Sequence, residues 1–249
     1  MPRFFVDSSA FSDGKITVRG DDAVHIGRVL RMKPGESLTV CDEYGVEYAC
    51  VIAAVGQEIL LDALSSKLSE NEPPYRATVY QSLVRSERFD TVLMKATELG
   101  VSSVVPVIAS RCTIKLEPRE YAKKRERWQR ILSEAAKQCG RGAIPRVCDP
   151  MPFSDAVKDA AKADLPIFCY EAGGTAPLPE ICSSVPSPGT VSVFIGPEGG
   201  FEQREADEAA AGGMRMTGLG NRILRTETAA PYVLACLSFR YELPGGSSL

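Results

Sequence analysis

With 249 residues, 44% of them apolar, the chain can bury one large core or two modest ones, and its composition excludes wholesale disorder. No apolar run approaches the eighteen or so residues of a membrane span, and the first residues carry Arg3 and Asp7 around only a brief apolar stretch, so neither a span nor a signal peptide is expected and the protein reads as cytosolic. The net charge of -3 argues against nucleic acid as an average, but from Arg76 to Val147 there are fifteen Lys and Arg against seven Asp and Glu, a net of +8 inside a remainder of net -11.

A basic centre of this kind can neutralise phosphates while the rest of the surface stays soluble. The run Lys123-Lys124-Arg125-Glu126-Arg127 taken alone reads equally as a solvated helix face. Eight cysteines are scattered without a C-x-x-C pair and there is one histidine, which predicts free buried thiols and no metal site.

Residues 1 to 70 read as short strands between turns. Lys15–Val18, Ser37–Val40 and Glu47–Val55 are strand-like, Asp42-Glu43-Tyr44-Gly45 is a turn, and His25–Leu30 is a single helical turn. This pattern predicts a small β-barrel. Ser69-Glu70-Asn71-Glu72-Pro73-Pro74 can continue neither strand nor helix, which puts a boundary near residue 70 and a second domain over 71–249.

The second domain alternates strands and helices. Ala77–Leu83 is a strand, Phe89, Val92, Leu93, Ala96 and Leu99 share one helical face that stops at Gly100, and Val101–Ile108 is the next strand. Tyr121–Cys139 is a longer helix with Trp128, Ile131, Leu132, Ala135 and Ala136 on its apolar stripe. The alternation predicts an α/β domain with a largely parallel sheet. The last helix, near Thr228–Tyr241, is apolar nearly all round, which suggests a partner on its second face.

Three glycine-bearing loops follow predicted strands, at 170–174, 196–200 and 218–228, and ligands of open α/β sheets gather outside strand carboxyl ends. The second is Gly196-Pro197-Glu198-Gly199-Gly200, built for close backbone approach, and the third carries Arg225-Thr226-Glu227-Thr228. Neither is a known phosphate cradle, since no G-x-G-x-x-G follows an early strand and no G-x-x-x-x-G-K-[ST] occurs. After GPEGGF comes Glu202, where a small hydroxyl residue would cap the next helix.

GPEGGF followed some twenty residues later by GLGNRILRTETA resembles the signature of the RsmE family, the 16S ribosomal RNA uridine-N3 methyltransferases of the trefoil-knotted SPOUT superfamily. Met1–Phe5, His25–Arg31 with Gly35, Lys95–Val101 and Glu134–Gln138 are similar to further landmarks of that family, in order over nearly the whole chain.

The resemblance implies a PUA-like β-barrel over 1–70, then a SPOUT-type α/β domain with a carboxyl-terminal trefoil knot, acting as a homodimer on 16S rRNA, within the small ribosomal subunit, at the position conventionally numbered 1498. It implies S-adenosyl-L-methionine as cofactor, held by Tyr170, Glu171, Ile195, Gly196, Pro197, Glu198, Gly199, Gly200, Leu219, Gly220, Ile223, Leu224, Arg225 and Thr226, with Leu219, Ile223 and Leu224 as an apolar floor. Arg3, Arg28, Arg31, Lys95, Arg111 and Arg141 become the candidate RNA contacts. Arg141, between two glycines, is placed to reach outward. Glu198 or Glu227 could take the N3 proton and Arg225 could stabilise charge on the uracil oxygens. Equally, Glu198 could cap the following helix and Glu227 could pair with Arg222 or Arg225. A related enzyme acting on another rRNA or tRNA base, or a non-catalytic ribosome-assembly factor, would keep much of the same sequence.

Overall fold

The computed structural model describes residues 1–12 and 14–243. Contacts divide them into two compact units, residues 1–72 with 136–144, and residues 73–135 with 145–243. The first unit is thus not a simple leading segment. It also takes the end of a long helix and the loop after it.

In the first unit six strands, β1 (Arg3–Phe5), β2 (Phe11–Ser12), β3 (Lys15–Val18), β4 (Ser37–Cys41), β5 (Val46–Val55) and β6 (Ile59–Leu68), form one sheet in the order β1-β4-β5-β6-β3-β2. All pairs are antiparallel except β1 with β4, and two register irregularities between β5 and β6 bend the long ribbon. Among the described residues no ladder joins β1 to β2, so the expected barrel is a curled, open sheet. Ile16, Val18, Leu38, Val40, Ile52, Ile59 and Leu61 close its core with Ile26. Ile26 lies in a wide helical turn, His25–Val29, that continues α1 (Gly20–Val24). The exposed His25 ring meets Phe4 edge-on at 6.1 Å.

The segment 136–144 is tied to this unit by charge. Arg141 is 4% exposed and donates to both carboxylate oxygens of Glu72, at 2.8 and 2.5 Å, while the amides of Gly142 and Ala143 add 2.9 and 3.2 Å bonds to the same carboxylate. The outward reach expected of Arg141 is therefore wrong, because the glutamate of the linker captures its guanidinium. Arg3 is likewise taken, bonding Glu47 at 2.7 Å, the Cys41 sulfur at 2.9 Å and the Arg141 carbonyl at 3.2 Å. Neither arginine is available to a phosphate.

In the second unit β7 (Arg76–Ser82), β8 (Val101–Ile108), β9 (Arg146–Val147), β10 (Met151–Pro152), β11 (Leu165–Cys169), β12 (Ala176–Pro177), β13 (Thr190–Ile195) and β14 (Arg215–Gly218) make an all-parallel sheet ordered β10-β8-β7-β13-β11-β14-β12, with β9 beside β8. Its helices are α2 (Ser86–Glu98), α3 (Tyr121–Cys139), α4 (Phe153–Ala160), α5 (Leu178–Ser183), α6 (Gln203–Ala211) and α7 (Thr226–Tyr241).

The sheet is buried on both faces, as a parallel sheet requires. Ile167 and Val193 point into a core with α2, α3, α5 and α7, whereas their neighbours Phe168 and Phe194 point into a second core with α4 and α6. Phe194 stacks on Tyr80, with ring centroids 5.5 Å apart, and touches Phe168 and Phe201. Complete burial of each such ring contributes about 1.5–3 kcal/mol. It also fixes where β11 and β13 end.

Helix α6 begins without a hydroxyl cap. The Glu205 carboxylate instead accepts from the Glu202 amide at 2.9 Å and, through its other oxygen, from the Ser110 amide at 2.8 Å. The Glu202 carboxylate takes the place of the missing hydroxyl by accepting from the Glu205 amide, so the two glutamates form a reciprocal capping box.

Candidate active site

Strands β13, β11 and β14 are adjacent, so the loops after them open at one end of the sheet. Between these loops lies a cavity of about 440 Å³, within the range of small-molecule sites. Of the fourteen expected cofactor residues, Tyr170, Glu171, Ile195, Gly196, Pro197, Glu198, Gly200, Leu219, Gly220, Ile223, Leu224, Arg225 and Thr226 line it.

Gly199 does not line the cavity. Its carbonyl accepts from Arg111 at 3.0 Å, and a Cβ there would meet the Arg111 side chain at 3.4 Å. The apolar floor is also narrower than expected. Leu219 and Leu224 pack on the core, but Ile223 is 87% exposed and forms part of the rim.

Thr226 holds the walls together. It is the first residue of α7, and its hydroxyl donates to the Gly196 carbonyl at 2.7 Å while accepting from the buried Gln81 amide at 2.9 Å. Three segments distant in sequence are joined by two hydrogen bonds. Gly200 supplies the close approach, for at φ +65° a Cβ would lie 2.3 Å from a Glu171 carboxylate oxygen. Any side chain at Gly200 forces the Glu171 carboxylate to shift.

The mouth is charged. Arg88, in the first turn of α2, reaches Glu198 at 3.1 Å and Glu227 at 3.8 Å, and these carboxylates are 21% and 19% exposed. Neither alternative for the carboxylates describes the structure, since Glu202 and Glu205 cap α6 and Arg88 takes the place expected of Arg222 or Arg225. Glu198 lines the cavity; Glu227 does not, and its buried Oε2 has no hydrogen-bond partner. Arg225 is exposed at the rim.

Arg88, Asn221 and Arg222 also line the cavity. Arg88 was legible only through the rule that ligands sit beyond strand carboxyl ends, because β7 ends four residues before α2 begins and pairs with β13. Cys169 contributes a sulfur to the wall, but burial pushes its thiol up to about 12, so it remains a neutral thiol and no nucleophile.

The candidate RNA residues divide differently. Arg28 and Arg31 are exposed, Lys95 is exposed and paired with Glu98 at 2.9 Å, and Arg111 is exposed on the Gly199 carbonyl. Arg31 has φ +54°, the one left-handed residue other than glycine among the described residues. The amides flanking it, of Leu30 and Met32, close the helical turn on the His25 and Ile26 carbonyls. A side chain in that conformation costs about 1 kcal/mol. Arg31→Gly should therefore raise the unfolding free energy by about 0.5–1 kcal/mol, read by chemical denaturation.

Comparison with known proteins fixes the setting of this cavity. A family model described as an RNA methyltransferase domain matches residues 71–238, and one described as an RNA methyltransferase PUA domain matches residues 18–61. The ribosomal RNA small subunit methyltransferase E of Bacillus subtilis is 32% identical over 92% of each chain.

The chain belongs to this RNA methyltransferase family.

The corresponding methyltransferase E of Aquifex aeolicus is also 32% identical, over 90% of this chain and 94% of its own. The structure of the Neisseria gonorrhoeae methyltransferase E bound to S-adenosyl methionine superposes with a TM-score of 0.84 at 29% identity, covering 96% of this chain and 97% of that one. A Legionella pneumophila methyltransferase in complex with the same cofactor gives 0.84 at 30% identity over 95% and 96%. The RNA methyltransferase family, the α/β fold and the PUA domain implied by the sequence motifs are thereby confirmed.

Proposed function

We propose that the chain methylates N3 of a uridine in 16S ribosomal RNA, the position conventionally numbered 1498, with S-adenosyl-L-methionine as donor. The observation that carries this reading is the cavity formed by the loops after β11, β13 and β14, lined by the carboxylates of Glu171 and Glu198 and by arginines. The residues present fit the cofactor, since Gly196, Gly218 and Gly220 leave main chain at the wall, Leu219 and Leu224 give apolar surface, and Tyr170 and Glu171 close one side. When bound, the cofactor supplies a methyl group on a cationic sulfonium.

N3 lies on the Watson–Crick edge, so the uridine is unpaired and unstacked when it meets the site. The protein then has two tasks. It holds N3 in line with the methyl group, and it takes the N3 proton. Of the two carboxylates that line the cavity, Glu198, paired with Arg88 at 3.1 Å, is assigned that proton, whereas Glu171 closes the wall beside Gly200 and Glu227 does not line the cavity.

Arg28 and Arg31 on the first unit, with Lys95 and Arg111 on the second, are assigned to RNA. The strained backbone of Arg31 supports this, because glycine would do the structural work better. Arg31→Gly should weaken RNA binding while it strengthens the fold. The carboxyl-terminal knot and a homodimer belong to the same reading. Tyr232 and Phe239 on α7 are 42% and 52% exposed and Met94 on α2 is 41% exposed, an apolar surface suited to a second copy. Among the described residues no helix is long and apolar enough to cross a membrane. Action on small ribosomal subunits in the cytoplasm is part of the same proposal.

The test is incubation of the protein with small ribosomal subunits that lack the modification and with labelled S-adenosylmethionine. One methyl group per subunit is expected, at a uridine where reverse transcription stops. Methylation of another base, or RNA binding with no cofactor binding, would replace this reading by a different specificity or by an assembly factor.

A further inference from the structure

We infer that Arg88 is a catalytic residue that reads the target uracil, donating a hydrogen bond to one of the carbonyl oxygens flanking N3. This rests on the uridine-N3 reading above. The inference starts from the unusual company Arg88 keeps. Two carboxylates, one from the loop after β13 and one from the first turn of α7, converge on one guanidinium, Glu198 at 3.1 Å from Nη1 and Glu227 at 3.8 Å from Nε, and of those two only Glu198 shares the cavity with it. Glu227 is therefore an anchor behind Arg88. The arginine, with five N–H donors, can keep that anchor and still present Nη1 to a ligand.

The exposed pair at the mouth, one N–H donor beside one carboxylate acceptor, is complementary to half of the uracil edge, where a carbonyl oxygen lies beside N3–H. In the free protein these two groups satisfy each other. A bound uracil replaces the pair, with N3–H bonding to Glu198 and the adjacent carbonyl accepting from Arg88. N3 passes its proton to the Glu198 carboxylate and bonds to the methyl carbon, and the electrons of the broken C–S bond return to sulfur. The negative charge left on the ring as the proton departs is shared by the uracil oxygens until the bond to carbon forms.

A donor already aimed at such an oxygen stabilises the transition state without reorganisation. Arg88 is held on two sides; Arg225 is exposed, with no ion pair among the described residues. That difference assigns the role to Arg88. Cytosine, whose N3 carries no hydrogen and whose neighbouring amino group donates, faces both groups with the wrong sign.

The experiment compares the wild-type protein with Arg88→Met and Arg88→Lys on small-subunit RNA carrying uridine, 2-thiouridine or 4-thiouridine at the target, and measures cofactor affinity separately. In the wild type one thio substitution should slow methylation by about tenfold, because sulfur is the poorer acceptor. Arg88→Met should lose about 100–1,000-fold in kcat on uridine, bind cofactor within about threefold of wild type, and show no further loss on the thio substrate. Arg88→Lys, which keeps the charge and a donor, should fall between and retain part of the thio effect.

An equal thio effect in wild type and Arg88→Met, no thio effect in the wild type at either position, or a loss of kcat explained wholly by weaker cofactor binding would overturn the role of Arg88. A wild-type protein that binds cofactor but methylates no uridine would overturn the functional reading itself, and this role with it.

Discussion

Glu72→Ala should destabilise the first unit by about 1–3 kcal/mol, less than for a fully buried ion pair because the Glu72 side chain is 28% exposed while Arg141 is buried. The consequence follows from what remains. Arg141, 4% exposed, would lose both of its bonds to the Glu72 carboxylate, and the amides of Gly142 and Ala143 would lose the same acceptor.

Denaturant unfolding followed by circular dichroism would measure the loss. Glu72→Gln, which keeps an acceptor oxygen and the shape, should cost clearly less. Equal and small effects of both changes would show that residues 136–144 are not held by charge.

Gly200→Val should raise the cofactor dissociation constant about 100-fold, equivalent to about 2.7 kcal/mol. The valine methyl groups start from a Cβ placed 2.3 Å from the Glu171 carboxylate, and the backbone at φ +65° resists a β-branched residue. Gly199→Val is the control. Its Cβ meets Arg111 and not the cavity, so cofactor affinity should stay within about threefold if the fold is kept. Calorimetric titration of S-adenosylmethionine into both variants decides the matter, and weakening by Gly199→Val of the same size would show that the GPEGG loop acts as a whole.

The contrast between neighbouring glycines marks the limit of what the motif could say. GPEGG and LRTET announced loops for close approach, and the resemblance they carry led to the right family, yet a string does not show which way each residue faces. Gly199 and Gly200 are equivalent as letters. Only the turn between β13 and α6 points one at Arg111 and the other at Glu171.

The same holds for charge. The sequence showed a basic centre, but it could not show that Arg141 is claimed by Glu72, Arg3 by Glu47, and Arg127 and Arg125 by Asp90 and Asp149. Nor could it bring Arg88 to Glu198 and Glu227, more than a hundred residues away along the chain.

By itself the sequence determined the strands near 15–18, 37–40, 47–55, 77–83 and 101–108, the helix over 121–139 and the loops that form the cavity. These depend on local alternation, helical spacing and glycine, which act over a few residues. Tertiary structure decided which strands are neighbours, which carboxylate meets the cavity and which cations remain free, because those outcomes depend on distances between residues far apart in sequence. Packing on two faces of a parallel sheet sets those distances.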